Sequence, residues 1–214
     1  MIGRLIHKMV SNNFLSRTHK AGSVLIRLCA LVVVFFTIVI DPALAFDRFT
    51  AHGGPVRHLT HSPDGRYVVS ASFDYSAVVW RAGDLTEIST LLGHEAALNI
   101  AEFSGDGKYL ATAGDDGLVL LWKVEKILSD NAEPIILSGH KGKIVDLSFS
   151  EDGKWLVSAS WDGAIGVWPL VGSNDDVQKN MRFLLGHDGP VNAVQFSPDK
   201  KHIYSSGYDG QIRY

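Results

Sequence analysis

Residues 139–168 read GHKGKIVDLSFSEDGKWLVSASWDGAIGVW. Ser158 stands eighteen positions after His140, Asp162 four further on, and Trp168 six beyond that. The same grid fits three other places in the chain. His52, Ser70, Asp74 and Trp80 keep it, as do His94, Thr112, Asp116 and Trp122. His187, Ser205 and Asp209 keep its first three positions. The histidines recur at intervals of 42, 46 and 47, while everything between histidine and tryptophan is invariant in length. Insertions therefore fall between each tryptophan and the next histidine. A fixed period of this size marks a repeat architecture and takes precedence over any single-segment reading.

Each copy reads as short strands joined by hairpins. Apolar residues stand four and seven positions after the histidine: Val56 and Leu59, Leu98 and Ala101, Ile144 and Leu147, Val191 and Val194. A turn follows, as in Ser62-Pro63-Asp64-Gly65 or Ser150-Glu151-Asp152-Gly153. Ser and Asp with a following glycine are hairpin-turn chemistry. The next strand is apolar and small (YVVSAS, YLATAG, WLVSAS, IYSSG), as expected where both faces are buried. A third strand such as Val119–Trp122 ends each copy, and no helical period appears after residue 46.

These residues make the chain resemble the WD-repeat β-propeller family, over roughly residues 48–214. Gly93-His94, Gly139-His140 and Gly186-His187 match the family's Gly-His pair, with Ala51-His52 in the first copy. The Trp-Asp pair that names the family is absent, since Arg81, Lys123 and Pro169 follow the tryptophans. The resemblance implies an all-β propeller with four blades, in repeats of about 49–80, 91–122, 137–168 and 184–214. It also implies that the fifteen grid residues are structural tetrads. Tryptophan N–H meets the hydroxyl, the hydroxyl meets histidine, and histidine meets aspartate.

Ser158, His140 and Asp162 are also the residue types of a serine-hydrolase triad. Four repetitions at one spacing argue against that, because an enzyme has no use for identical triads in successive repeats. His52, His58 and His61 do not make a metal cluster: His52 is a grid residue, and His61 takes the place of Phe103, Phe149 and Phe196. No phosphate-binding loop, CxxCH or HExxH motif occurs. The expectation is no enzyme, no metal and no cofactor.

Binding remains. Family propellers usually contact proteins or peptides on their narrow face, through three positions per blade. The resemblance assigns these to Phe73, Asp115, Trp161 and Tyr208, just before each grid aspartate. Arg57, Asn99, Val145 and Asn192, one beyond the first apolar residue of each copy, form the second set, and Lys143 belongs to the third. Aromatic residues and arginine are the types enriched at binding hot spots. Aromatics in this slot could equally fill tight turns.

The first 45 residues look like an address. Leu28–Ile40 (LCALVVVFFTIVI) is uncharged, a basic stretch ending at Arg27 precedes it, and Ala43-Leu44-Ala45 follows Asp41-Pro42. That order predicts a secretory signal peptide over residues 1–45, cleaved before Phe46. The alternative is a membrane anchor over residues 24–40, which is short for a span. Cleavage would remove Cys29, the one cysteine, and suit an oxidising compartment, periplasmic or extracellular. The whole chain carries a net charge of −3, but residues 1–45 hold five basic side chains and one acidic one. Residues 46–214 are left with 15 basic and 22 acidic side chains. Such a surface repels phosphate backbones, so no nucleic-acid partner is expected.

Two function classes follow: a non-enzymatic exported scaffold that recruits a protein or peptide, or the propeller portion of a larger exported sensor or redox polypeptide. The second rests on ASFDYS and LLGHEAALN, phrasing similar to bacterial exported WD-repeat proteins, some of which carry a downstream c-type cytochrome domain. The fourth tryptophan belongs at position 215, one past Tyr214. The expectation is therefore an incomplete ring with bare apolar faces on its end blades, which would drive self-association.

Overall fold

The computed structural model describes residues 50–129, 131–171, 174–199 and 201–214. The signal-peptide and membrane-anchor readings lie outside the described residues. Four antiparallel sheets follow one another along the chain, each built from consecutive strands in sequence order. The first contains β1 (Val56–His61), β2 (Tyr67–Ser72), β3 (Ala77–Arg81) and β4 (Glu87–Leu91). The second contains β5 (Leu98–Phe103), β6 (Tyr109–Gly114), β7 (Val119–Lys123) and β8 (Ile135–Leu137). The third contains β9 (Ile144–Phe149), β10 (Trp155–Ser160), β11 (Ala164–Pro169) and β12 (Arg182–Leu185). The fourth has three strands, β13 (Val191–Phe196), β14 (Ile203–Gly207) and β15 (Ile212–Arg213). The architecture is all-β, of WD-repeat type.

Two short helices, α1 (Val124–Ile127) and α2 (Asn174–Asn180), fold within the variable segments between third and fourth strands. The sequence shows no helical period over either segment. Segments of one or two turns are too short to print a 3.6-residue period. Each nevertheless contributes a buried residue to the core, Ile127 and Val177.

The sheets stack face to face, with first strands adjoining: β1 packs on β5, β5 on β9, and β9 on β13. The core sits in the seams between sheets. Seam one joins Val69, Ala71, Val79 and Leu91 of the first blade to Leu98, Leu110, Leu120 and Trp122 of the second. Seam two repeats this with Ala111, Ala113, Leu121 and Leu137 against Ile144, Leu147, Leu156 and Trp168. Seam three is thinner, with Val157, Ala159 and Ile165 against Val191 and Val194. A groove of about 590 Å³ lined by Trp155, Met181, Leu184 and Ile203 opens beside it.

Two acids lie on the adjoining first strands. Asp146 accepts hydrogen bonds from the N–H of Val194 (2.8 Å) and of Leu147 (3.0 Å), the first of which ties blade three to blade four. Burial pushes the Glu102 carboxyl up from 4.5 to about 6, helped by the charge of Asp146 and opposed by a hydrogen bond from Thr60. The folded chain thus holds this proton more tightly than the unfolded chain. Stability from that source is present below pH 4.5 and is lost as pH rises through about 6. Glu102→Gln, neutral at every pH, is expected to flatten that decline and to gain about 1–2 kcal/mol at pH 7. Urea unfolding across this range checks it, and a wild-type stability that is flat over the window refutes it.

Candidate functional site

Each grid histidine precedes the first strand of its blade, the hydroxyl lies on the second strand, and the aspartate sits in the turn between second and third. Folding back on two hairpins brings them together. In blade two, Trp122 Nε1 donates to Thr112 Oγ1 at 3.0 Å, Thr112 lies 2.9 Å from His94 Nε2, and His94 Nδ1 lies 2.7 Å from Asp116. Blade three repeats the chain at 3.0, 2.8 and 2.9 Å through Trp168, Ser158, His140 and Asp162. Blade one has Trp80, Ser70, His52 and Asp74 at 2.9, 2.6 and 3.0 Å. Blade four joins Ser205 to His187 at 3.0 Å and His187 to Asp209 at 2.8 Å.

One proton arrangement satisfies every partner. Tryptophan N–H donates to the hydroxyl, the hydroxyl donates to Nε2, and Nδ1–H donates to the carboxylate. It needs a neutral imidazole, and burial does lower the His140 pKa against the opposing pull of Asp162. Burial alone would raise the four aspartates. Hydrogen bonds from histidine and backbone N–H groups outweigh it and hold all four below the ordinary carboxylate range. Two backbone donors serve each aspartate: the residue after the histidine (Gly53, Glu95, Lys141, Asp188) and the residue two beyond the aspartate (Ser76, Leu118, Ala164, Gln211). In blade one Ser76, which sequence reasoning missed, joins the tetrad by donating to Asp74 at 2.7 Å. The hydroxyl–imidazole–carboxylate order is that of a hydrolase triad, but Ser70, Thr112, Ser158 and Ser205 are buried, and in blades one to three an indole N–H occupies the oxygen, which leaves no room for a substrate beside it.

The tetrads carry the narrow-face positions. The residue before each aspartate sends its backbone N–H to the start of its blade: Phe73 to Pro55, Asp115 to Ala97, Trp161 to Lys143, Tyr208 to Pro190, at 2.8–2.9 Å. A bulge next to this bond leaves one residue of each first strand without a cross-strand partner. Pairing steps from Val56 to His58, Leu98 to Ile100, Ile144 to Asp146 and Val191 to Ala193. The skipped residues are Arg57, Asn99, Val145 and Asn192. Bulges re-aim side chains in this way.

The structure brings three of these residues together across blades three and four. Lys143 Nζ lies 3.5 Å from the centre of the Trp161 ring, and the Tyr208 ring meets Trp161 edge-on at 5.7 Å. Trp161 and Tyr208 stay exposed, as does Phe73. Asn99 is committed elsewhere. Its amide donates to Asp115 at 2.7 Å and to the Ile144 carbonyl at 2.9 Å, locking blade two to blade three. Arg57 and Asn192 are exposed and make no contact with the Trp161 cluster among the described residues.

Sheet, seam and tetrad together define a repeat protein whose blades are stapled by buried polar chains. The model of the family described as "WD domain, G-beta repeat" matches residues 46–81, 85–123, 133–169 and 178–214. The chain belongs to the WD40 repeat family, whose members are generally non-enzymatic scaffolds. It is 40% identical over 75 residues to a probable cytosolic iron-sulfur protein assembly protein CIAO1 homolog of Caenorhabditis elegans, covering 34% of this chain and 22% of that one. It is 34% identical over 74 residues to Denticleless protein homolog A of Xenopus laevis, covering 34% of this chain and 10% of that protein. Protein hir1 of Schizosaccharomyces pombe is 29% identical over 80 residues, covering 37% of this chain and 9% of hir1. The match thus spans less than a quarter of each of these relatives.

Proposed function

We propose that this chain is an exported WD-repeat scaffold that recruits a protein or peptide on its narrow face, with Trp161 at the centre of the contact. The observation that carries this reading is the Lys143–Trp161–Tyr208 cluster. A large aromatic is held in place from two sides yet left exposed, at low remaining entropy cost for a partner. Phe73 and Arg57 extend the surface on blade one, and Asp115 and Asn192 supply polar contacts. Export rests on the uncharged run Leu28–Ile40 and the Ala43-Leu44-Ala45 site. One relative's printed name speaks of cytosolic iron-sulfur protein assembly, but the match covers 22% of that protein and does not carry its partner to this chain.

The test is a pull-down from the exported fraction, followed by affinity measurement with the partner found. Trp161→Ala is expected to weaken binding about 30-fold or more, the scale of a hot-spot truncation, with the melting temperature nearly unchanged. Equal affinity for wild type and variant refutes the narrow-face site. Recovery of the chain with residues 1–45 still attached and membrane-integrated refutes cleavage.

A further inference from the structure

Lys143 is tied to Trp161 twice. Its carbonyl accepts the Trp161 N–H at 2.9 Å, and its ammonium sits 3.5 Å from the centre of the indole ring. Trp161 and Tyr208 remain 40% and 65% exposed, so the lysine lies along one ring of an open aromatic pair. An indole face attracts a cation through its quadrupole, yet it meets only the N–H donors turned toward it. An ammonium has three, and those turned away remain available to an acceptor.

The chain offers that ammonium no anion of its own. Neither Lys143 nor Lys141 forms an ion pair among the described residues. The carboxylates in the nearby turns are committed: Asp162 to His140, Asp209 to His187 and Asp115 to Asn99. Lys141, two residues before Lys143, is exposed. Asp188 holds on blade four the place that Lys141 holds on blade three, and it too is exposed. An anion is thus favoured over blade three and repelled over blade four. Acidic side chains outnumber basic ones by 22 to 15 over residues 46–214, so the two lysines stand against a surface that repels anions elsewhere.

We propose, resting on the narrow-face reading, that the recruited segment carries an acidic side chain whose carboxylate pairs with Lys143, while an apolar neighbour packs on the Trp161 and Tyr208 rings. An exposed ion pair usually contributes little, partly because two long side chains must be ordered to form it. Here the indole face and the backbone hydrogen bond order Lys143 before the partner arrives. Ordering in advance raises what such a contact contributes. The charge pattern also steers the segment, setting its acidic residue over blade three rather than blade four. A cationic residue is the poorer occupant, because Lys143 already fills the indole face it would seek and repels a like charge.

The experiment is selection from a displayed library of random dodecapeptides on the full chain, keeping the binders that Trp161→Ala loses. Asp or Glu is expected to be enriched in them, next to an aromatic or aliphatic residue. Lys143→Met keeps an unbranched stem over the indole without the charge. It is expected to weaken these peptides about tenfold or more, with the melting temperature nearly unchanged. Lys143→Arg is expected to stay within about threefold of wild type. Raising salt from about 50 to about 500 mM is expected to weaken wild-type binding about tenfold and to leave Lys143→Met nearly unaffected. Binders enriched in Lys or Arg, binders with no charge preference, or a Lys143→Met variant that binds as wild type would each overturn the acidic partner and leave the Trp161 site standing. A selection with no Trp161-dependent binders would overturn the narrow-face reading itself.

Discussion

Trp168→Ala is expected to lower stability by about 3–5 kcal/mol, the range for truncating a buried tryptophan. Its side chain is fully buried and closes seam two against Leu137, Ile144 and Leu156. Phe183 meets it edge-on at 6.0 Å, and its Nε1 donates to Ser158 at 3.0 Å. Alanine removes the ring from a seam that two rigid sheets hold open, and Ser158 loses a donor. Trp168→Phe keeps most of the apolar area and is expected to lose less, about 1–2 kcal/mol, mainly for the unmade hydrogen bond. Trp80→Ala supplies the internal comparison. Trp80 makes the same bond to Ser70, but it lines the open blade-one groove, so fewer packed atoms are lost. Urea unfolding ranks the three. A Trp168→Ala cost no greater than that of Trp80→Ala would show that seam burial does not govern stability here.

The repeat grid and the all-β fold were legible in the sequence because both are short-range. A tetrad closes within one copy, so histidine, hydroxyl, aspartate and tryptophan keep constant spacing whatever the linkers do. Hairpin turns are similarly local, as Ser62, Asp64 and the backbone of Arg66 show by bonding within two residues of Asp64. What the sequence hid lies between blades. Asn99 reaching the Ile144 carbonyl and Asp146 reaching the Val194 N–H cross 45 and 48 residues, over linkers of variable length. No fixed interval records such a contact. The Lys143 approach to Trp161 spans a hairpin, but it depends on the turn placing Lys143 over the indole face. Helices α1 and α2 were invisible for another reason, since elements of four and seven residues take their stability from packing rather than from a period of their own.

The bulge shows how the local and the distant join. A residue skipped by the ladder in every first strand could not be read from apolar spacing, yet its consequence was readable as a recurrent polar or exposed position after Val56, Leu98 and Val191. In blade three that position holds Val145, and Lys143 and Trp161 become the exposed cation–aromatic pair. The tetrad and the narrow face are therefore one construction. The aspartate fixes the turn, and the turn presents the residue beside it.

Asp116→Ala is the sharpest test of that construction. The Asp116 carboxylate accepts from His94 Nδ1 at 2.7 Å, from the Glu95 N–H at 3.2 Å and from the Leu118 N–H at 3.0 Å. Alanine leaves the buried His94 without its acceptor and two backbone donors unsatisfied. The expected loss is about 1–3 kcal/mol at pH 7, the range for leaving a buried donor without its acceptor. The pH dependence separates this from a packing defect. Burial would raise the Asp116 carboxyl, but its hydrogen bonds, led by His94, hold it below the ordinary 3.8. A lowered folded pKa contributes stability that is present above the unfolded value and lost as pH falls through the folded one. The gap between wild type and variant is therefore expected to be full at pH 7 and to shrink below about pH 4. The slot residue should move as well, because Asp115 is the neighbour of the lost anchor and partners Asn99. Amide exchange at the Asp115 N–H, bonded to the Ala97 carbonyl at 2.8 Å, is expected to speed up in the variant while seam three is unaffected. A variant with wild-type stability at pH 7, or a stability gap that persists unchanged into acid, would show that the aspartate does not hold the blade.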